Sequence, residues 1–338
     1  MIDKSMRENK KEQMIDGMLI SVLVPLYNVE PFICRCVNSL FGQTYPHLEF
    51  IFVNDASTDN TLAVLQRLTE KFPERAKSVK IVNNPNNRGI STARDLALSL
   101  ASGEYVLFVD GDDFLETDAI ARLHKKKQST GADIVVGDFV IEYKNCKVVY
   151  KHQNTLSNEK YFSGVIRRSI PCCIWGKLIR RDLFFQNQIK GIDNVSFGED
   201  FAITTRLIYK AQKIDFLNHP IYHYIKTNQQ SITKNLSMRC INDLLIVNGV
   251  LFEFFENNRE IKNQLKLYTK LLLLKSLPTV ELLRVASEIY PESIILRSLG
   301  IKDRIVLALA NSSHYRSLLY LNRLYFNLKK FLHCISNW

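Results

Sequence analysis

A chain of 338 residues, 46% hydrophobic and 23% charged, has room for one sizeable core or for a core domain with a smaller appendage. With 13 glycines and 9 prolines it is neither collagenous nor linker-dominated, and no internal repeat or low-complexity tract is evident. The net charge of +11 points to an anionic partner, but nucleic acid, nucleotide diphosphates and an acidic membrane all qualify on charge alone.

Residues 1–17 read as an N-terminal extension whose charges cancel, with four basic and four acidic groups in the first twenty positions. They lack the apolar core of a secretory signal. The best apolar run, Leu271–Lys275, is interrupted by charge and followed by Pro278, far short of the ~20 residues that span a bilayer. A cytoplasmic location is expected. The seven cysteines agree with it, because their number is odd and their spacing gives no disulfide framework or zinc set.

Met18–Pro25 is a continuous β-branched run ended by proline and predicts a buried parallel strand. Glu30–Phe41 follows at helical spacing, His47–Asn54 is a second strand, and a helix through Leu62, Leu65 and Leu68 is capped by Ser57 or Thr58. Val79–Asn83, Thr92–Leu100 and Tyr105–Val109 supply a third strand, a third helix and a fourth strand. Four strand–helix alternations argue for an α/β fold with a mostly parallel twisted sheet and helices on both faces. Ligands of such sheets bind beyond the carboxyl ends of the strands. The polar clusters stand there: Asn28, Asp55, the segment Asn83–Gly89, and Asp110–Asp113.

Farther along, Asp133–Val136 and Phe139–Tyr143 read as strand pieces, Cys172–Arg180 as a helix or turn, Glu199–Lys210 as a helix and Ile221–Ile225 as a short strand. From about Leu236 only helical periodicity remains. The expected organisation is therefore an α/β domain over 18–235, in a first half (18–115) and a second half (116–235), with a helical region over 236–338.

Asp110-Gly111-Asp112-Asp113 leaves a buried strand through a glycine, so two carboxylates can turn toward one crevice. Hard divalent ions such as Mg2+ or Mn2+ take carboxylate oxygens together with substrate phosphates and water. A solvated turn with Asp113 as a helix cap is the plain alternative. Asp55 can serve as a turn residue or accept a hydrogen bond from a nucleobase. Arg88 and Arg94 suit phosphate oxygens, although Arg88 fits a solvated surface equally well. Glu199 and Asp200 open a helix, where they favour its positive end or place a carboxylate as general base. Trp175 lines a sugar pocket or packs in the core, and Lys177 lies close by in sequence. His152, His219 and His223 form no ligand cluster. Neither G-x-G-x-x-G nor G-x-x-x-x-G-K-[ST] is present.

Taken in order, these segments resemble the family 2 glycosyltransferases of GT-A fold, in particular bacterial enzymes of capsule, O-antigen and exopolysaccharide assembly. The match runs over roughly 19–233. It begins with Ser21–Asn28, whose Pro25, Tyr27 and Asn28 resemble the family's P-x-Y-N opening. Val53–Asp59 resembles V-D-D-G-S-x-D, with Asn54 in place of the first aspartate and Asp55 retained. Asn87–Asp95 resembles N-x-G-x-x-x-A-R-N, with Asp95 replacing the usual asparagine and adding negative charge near the phosphate site. Asp110–Asp113 looks like the metal motif, Trp175–Leu178 the acceptor-side W-N/G-K-L, Gly198–Asp200 the catalytic G-E-D, and Gln230–Thr233 the closing S-I-T.

The resemblance implies an inverting, metal-dependent hexosyltransferase acting on a nucleotide-sugar, UDP-linked by preference. Asp200 would be the general base, with Glu199 shaping the acceptor site. Asp112 would be the principal metal ligand, Asp110 would touch metal or ribose, and Pro25, Tyr27, Asn28, Asp55, Arg88, Arg94, Trp175 and Lys177 would lie along the donor. It further implies a divalent cation (Mn2+ or Mg2+) and a glycan or lipid-linked oligosaccharide acceptor. Nucleic acid is not expected as a partner, since no basic, aromatic-interleaved binding motif accompanies the charge. A nucleotidyltransferase and a non-catalytic carbohydrate-binding relative are the competing readings. Residues 261–338 carry twelve basic and four acidic groups. Their amphipathic helices either pack on the catalytic domain or contact anionic membrane from the cytoplasmic side.

Overall fold

The computed structural model describes residues 17–152, 157–228, 236–291 and 299–335, with side chains as far as Tyr325. Among the described residues nine strands form one sheet in the order β3-β2-β1-β4-β8-β6-β9-β5, with β7 paired to β6. Residues 18–113 supply β1 (Ile20–Leu26), β2 (Leu48–Asn54), β3 (Val79–Asn83) and β4 (Tyr105–Phe108), all mutually parallel. Between them run α1 (Glu30–Phe41), α2 (Thr61–Lys71), the short α3 (Pro73–Ala76) and α4 (Ile90–Ser99).

Alternation along the strands divides the core in two. Leu23, Ile51, Val53, Val106 and Phe108 face one side. Val22, Val24, Phe50, Phe52 and Leu107 face the other, against α1 and α2. With both faces covered, each strand reads as an unbroken apolar run.

Residues 114–225 add β5 (Phe114–Leu115), α5 (Ala119–Thr130), β6 (Ile134–Glu142), β7 (Lys147–Tyr150), α6 (Asn158–Ile166), β8 (Lys177–Arg180), α7 (Asp182–Gln186), α8 (Glu199–Lys210) and β9 (Ile214–Ile225). Here the sheet becomes mixed: β8 lies antiparallel between β4 and β6, while β9 runs parallel to β6. Several expectations are corrected. Residues 177–180 form a central strand, not a helix or turn. The two strand pieces after 133 are one strand, whose register against β9 shifts at Gly137 and Asp138. Ser57 and Thr58 do not cap α2, whose N-cap is Asn60; they bond Asn28 across to the end of β1 instead.

The helical region comprises α9 (Met238–Phe254), α10 (Arg259–Ser276), α11 (Val280–Glu288), α12 (Ile301–Asn311) and α13 (Tyr315–Ile335). It is not a loose appendage. Val247, Leu251, Phe255, Ile261 and Leu265 enter the core shared with α4, α6 and α8, while Leu271, Leu274, Leu283, Val306 and Leu318 build a bundle of their own. The segment Gln230–Thr233 lies outside the described residues.

Candidate active site

The carboxyl ends of β1 and β2 are tied together by Asn28. Its backbone adopts φ 51°, its Oδ1 accepts from Thr58 N at 2.8 Å, and its own N–H donates to Ser57 Oγ at 3.0 Å. Tyr27 beside it is 48% exposed, a large ring left on the surface at a strand end. Pro25, by contrast, is buried within β1.

Asp55 is buried, and its carboxylate is largely engaged. Oδ1 accepts from Asn84 Nδ2 at 2.8 Å and Arg88 N at 3.0 Å, and Oδ2 from Gly89 N at 2.7 Å. A carboxylate has about four acceptor positions, so little capacity is left for an external donor. Its evident work is to hold the 84–89 loop, which Gly89 leaves at φ 87° to start α4. The Arg88 side chain is exposed at that loop.

Arg94 occupies the middle of the site. Its side chain is 2% exposed, yet three carboxylates from distant parts of the chain meet it. Nη2 donates to Asp110 Oδ1 at 2.8 Å; Nη1 donates to Asp200 Oδ1 at 2.5 Å and approaches Glu199 Oε1 at 3.4 Å. The expectation that Arg94 faces donor phosphate is corrected, since its charge is already spent on carboxylates. Two buried residues of the W-G-K segment are corrected likewise. Trp175, 7% exposed, stacks on Tyr222 at 4.4 Å and Tyr224 at 5.3 Å, with Phe139 edge-on at 5.0 Å. Lys177 is 2% exposed and donates to Cys173 O at 2.5 Å. Neither has a face open to a donor, and both brace the loop whose Ile174 N–H donates to Asp200 Oδ2 at 3.2 Å.

Both Asp95 oxygens accept from Gly191 N at 2.9 Å, so its charge pins the 187–198 loop to α4.

The acidic turn rests directly on β1. A Cβ on Gly111 would stand 2.5 Å from Leu26 Cδ2 and 3.3 Å from Pro25 O, which is why glycine is needed there. Asp113 is internal, accepting from Tyr222 Oη and Ile225 N, each at 2.7 Å. Asp112 accepts from Asn228 Nδ2 at 2.8 Å. Burial first, then the negative charge of Asp110, push the Asp112 carboxyl upward. A cation placed there would relieve both penalties. Among the described residues no three His, Cys, Asp or Glu side chains gather to hold a metal by themselves.

At the head of α8 burial and the charge of Asp200 push Glu199 up to about 8. Burial also raises Asp200, with Arg94 opposing. A carboxyl whose folded pKa exceeds its unfolded value contributes stability that is fully present below the unfolded pKa and is lost as pH rises through the folded one. From about 4.5 to about 8, then, Glu199 makes the protein progressively less stable. Glu199→Gln is expected to melt like the parent near pH 5 and several degrees higher at pH 9; parallel melting curves at both pH values would contradict this.

One contributor was not legible in sequence. Asp243 of α9 accepts from the backbone N–H groups of Ser196 and Phe197 at 3.1 and 3.0 Å, and Leu244 packs against Gly198. The helical region thereby fixes the turn that launches Glu199 and Asp200. Asp243→Ala leaves two amides without partners, at a cost of about 1–3 kcal/mol. Steady-state kinetics should show a several-fold fall in kcat with donor KM little changed; a rise in KM alone would contradict it.

The profile of Glycosyl transferase family 2 matches residues 21–186. Glycosyltransferase GlyA of Streptococcus pneumoniae is 31% identical over 217 residues, 61% of this chain and 30% of that protein. EpsJ of Bacillus subtilis, described as an uncharacterized glycosyltransferase, is 28% identical over 64% of this chain and 63% of its own length. The chain thus spans less than two thirds of either relative. Among solved structures, S. aureus TarS 1-349 in complex with UDP-GlcNAc superposes with a TM-score of 0.63 at 19% identity, covering 92% of both chains. Mannosyltransferase PcManGT from Pyrobaculum calidifontis, in complex with GDP-Man and Mn2+, gives 0.55 at 18% identity over 90% of this chain and 84% of that one. These two likenesses bear on the fold alone. With its acidic turn after β4 and the G-E-D head of α8 meeting that turn through Arg94, the chain carries over residues 21–186 the domain of the family 2 glycosyltransferases.

Proposed function

We propose that this protein is a metal-dependent, inverting glycosyltransferase that moves a sugar from a nucleotide diphosphate, UDP by preference, to a hydroxyl of a glycan or lipid-linked glycan. The observation carrying the reading is the convergence on one guanidinium of Asp110, at the end of a parallel strand, and Asp200, about 90 residues later at a helix head. A donor lying over the strand ends and an acceptor lying against α8 would therefore meet. The UDP-GlcNAc complex of TarS and the GDP-Man and Mn2+ complex of PcManGT support a nucleotide-sugar donor and a divalent ion here.

In this reading Tyr27 offers its exposed ring to the base, and the Asp55-braced loop presents Arg88 to the diphosphate. Asp112, with Asp110, would hold the cation, the remaining ligands coming from donor phosphate and water, as is usual for Mg2+ or Mn2+. When bound, that ion supplies positive charge to the leaving diphosphate. Asp200 accepts the proton of the acceptor hydroxyl; the oxygen bonds to the anomeric carbon as the bond to phosphate breaks, and the diphosphate departs with the electron pair. A single displacement with no enzyme nucleophile inverts the anomeric centre. Arg94 orients Asp200 and opposes the upward push of burial on its carboxyl.

The test is nucleotide release from a panel of nucleotide-sugars across a Mn2+ and Mg2+ titration. Release should depend on metal, and Asp112→Ala should raise the half-saturating metal concentration by at least about tenfold. Metal-independent release, or an unshifted titration in the variant, would overturn the assignment.

A further inference from the structure

One side chain of β9 grips the acidic turn at both ends. Tyr222 is fully buried, and its hydroxyl uses its accepting and its donating capacity on the same four residues. It accepts from Asp110 N at 3.1 Å and donates to Asp113 Oδ2 at 2.7 Å. Asp113 N donates to Asp110 O at 3.0 Å, closing the turn, and Asp113 Oδ1 accepts from Ile225 N, again on β9, at 2.7 Å. The first and last acids of the turn are therefore fixed to a residue 112 and 109 positions away. Asp112 lies between them.

Packing does not call for this hydroxyl. The ring lies nearly flat against Trp175, with 4.4 Å between centroids and 11° between planes, a contact that phenylalanine would make as well. Burying a phenol oxygen costs free energy unless it is hydrogen-bonded, and here both partners come from the acidic turn. β9 also pairs with the residues just past the turn, Leu115 standing opposite Tyr222 and Phe114 opposite His223. The backbone pairing places the turn on the sheet edge, and the Tyr222 oxygen is what holds the chain between the first and last acids to one path.

That path matters because small divalent ions are exacting. Mg2+ takes near-octahedral oxygens at about 2.0–2.1 Å, so two carboxylates flanking one glycine must be aimed together. Groups that orient ligands without touching the ion change metal affinity by about 10- to 100-fold when they are removed. We propose that Tyr222 is a positioning residue of the acidic turn: through the Asp110 amide and the Asp113 carboxylate it aims Asp110 and Asp112 at a shared divalent cation. The inference rests on the sugar-transfer reading, in which those two acids hold the ion.

The experiment is Mn2+ binding by the full chain, read from the paramagnetic resonance signal of the free ion, with UDP present and, in a second series, GDP. Tyr222→Phe keeps the ring and removes only the oxygen. It should raise the Mn2+ dissociation constant by about tenfold or more and lower the melting temperature by a few degrees, since two buried groups lose a partner. Tyr105→Phe controls for lost stability. Its hydroxyl, equally buried at the far end of β4, donates to Ala132 O at 2.8 Å, so the melting temperature should fall while the Mn2+ dissociation constant stays at the parental value. Parental Mn2+ affinity in Tyr222→Phe, or an equal loss of affinity in Tyr105→Phe, overturns the positioning role and leaves the metal reading standing. A parent that binds no Mn2+ with either nucleotide removes the metal reading itself, and the positioning role with it.

Discussion

Asp200→Asn is expected to lower kcat by about 10²- to 10⁴-fold, the range typical of a lost general base, while donor affinity stays within a few-fold of the parent. The carboxylate has the required setting. Oδ1 is held by Arg94 and Oδ2 by the Ile174 amide, yet each oxygen keeps a further acceptor position for an incoming hydroxyl. Burial raises its proton affinity, and Arg94 works against that rise. Asparagine keeps the shape and can still accept from Arg94, but it cannot take the proton. Single-turnover transfer rates with a separate measurement of nucleotide-sugar binding decide the matter. Transfer at the parental rate would remove Asp200 from the chemistry, and a matching loss of donor affinity would move it to the donor side.

Arg94→Met is the change with the largest expected effect on the fold. It leaves Asp110, Glu199 and Asp200 close together without the cation that all three share. Removing one partner of a buried ion pair costs about 3–5 kcal/mol, which in a chain of this size lowers Tm by about 4–7 °C. The loss should shrink as pH falls, because protonated carboxyls no longer repel one another. Arg94→Lys restores the charge, but a single ammonium cannot span Asp110 on one side and Asp200 on the other as a planar fork does. It should recover part of the stability and little of the turnover. Equal melting temperatures for Arg94→Met and the parent at pH 8 would show that the cluster is neutralised some other way.

Arg94 also marks where sequence reasoning reached its limit. An arginine in an A-R-D segment, seen alone, looks like a phosphate ligand, because arginine pairs readily with phosphate. Its actual partners are carboxylates 16, 105 and 106 positions away, and no local pattern announces contacts at such separations. Trp175 and Lys177 were misplaced for a similar reason. Their chemistry suits a sugar and a diphosphate, but β8 sits in the middle of the sheet, and residues leading into a central strand are enclosed from all sides. That strand was itself hard to see, because Lys177–Arg180 is four residues long with a charge at each end, too short for any periodicity to emerge.

The part of the sheet built before residue 115 was legible from its residues. β1, β2 and β4 are buried on both faces, so their apolar runs are continuous, and the polar groups that end them had to lie along one edge once the strands were parallel. Strand order, the antiparallel insertion of β8 and the docking of α9 against the Gly198 turn were decided only in three dimensions. Each depends on pairings between segments far apart in the chain, which neither propensity nor spacing encodes. Sequence alone thus determined which carboxylates stand at strand and helix ends, because burial and backbone geometry act locally. Tertiary structure decided which of them share a cation, because that depends on packing between elements the chain brings together only when folded.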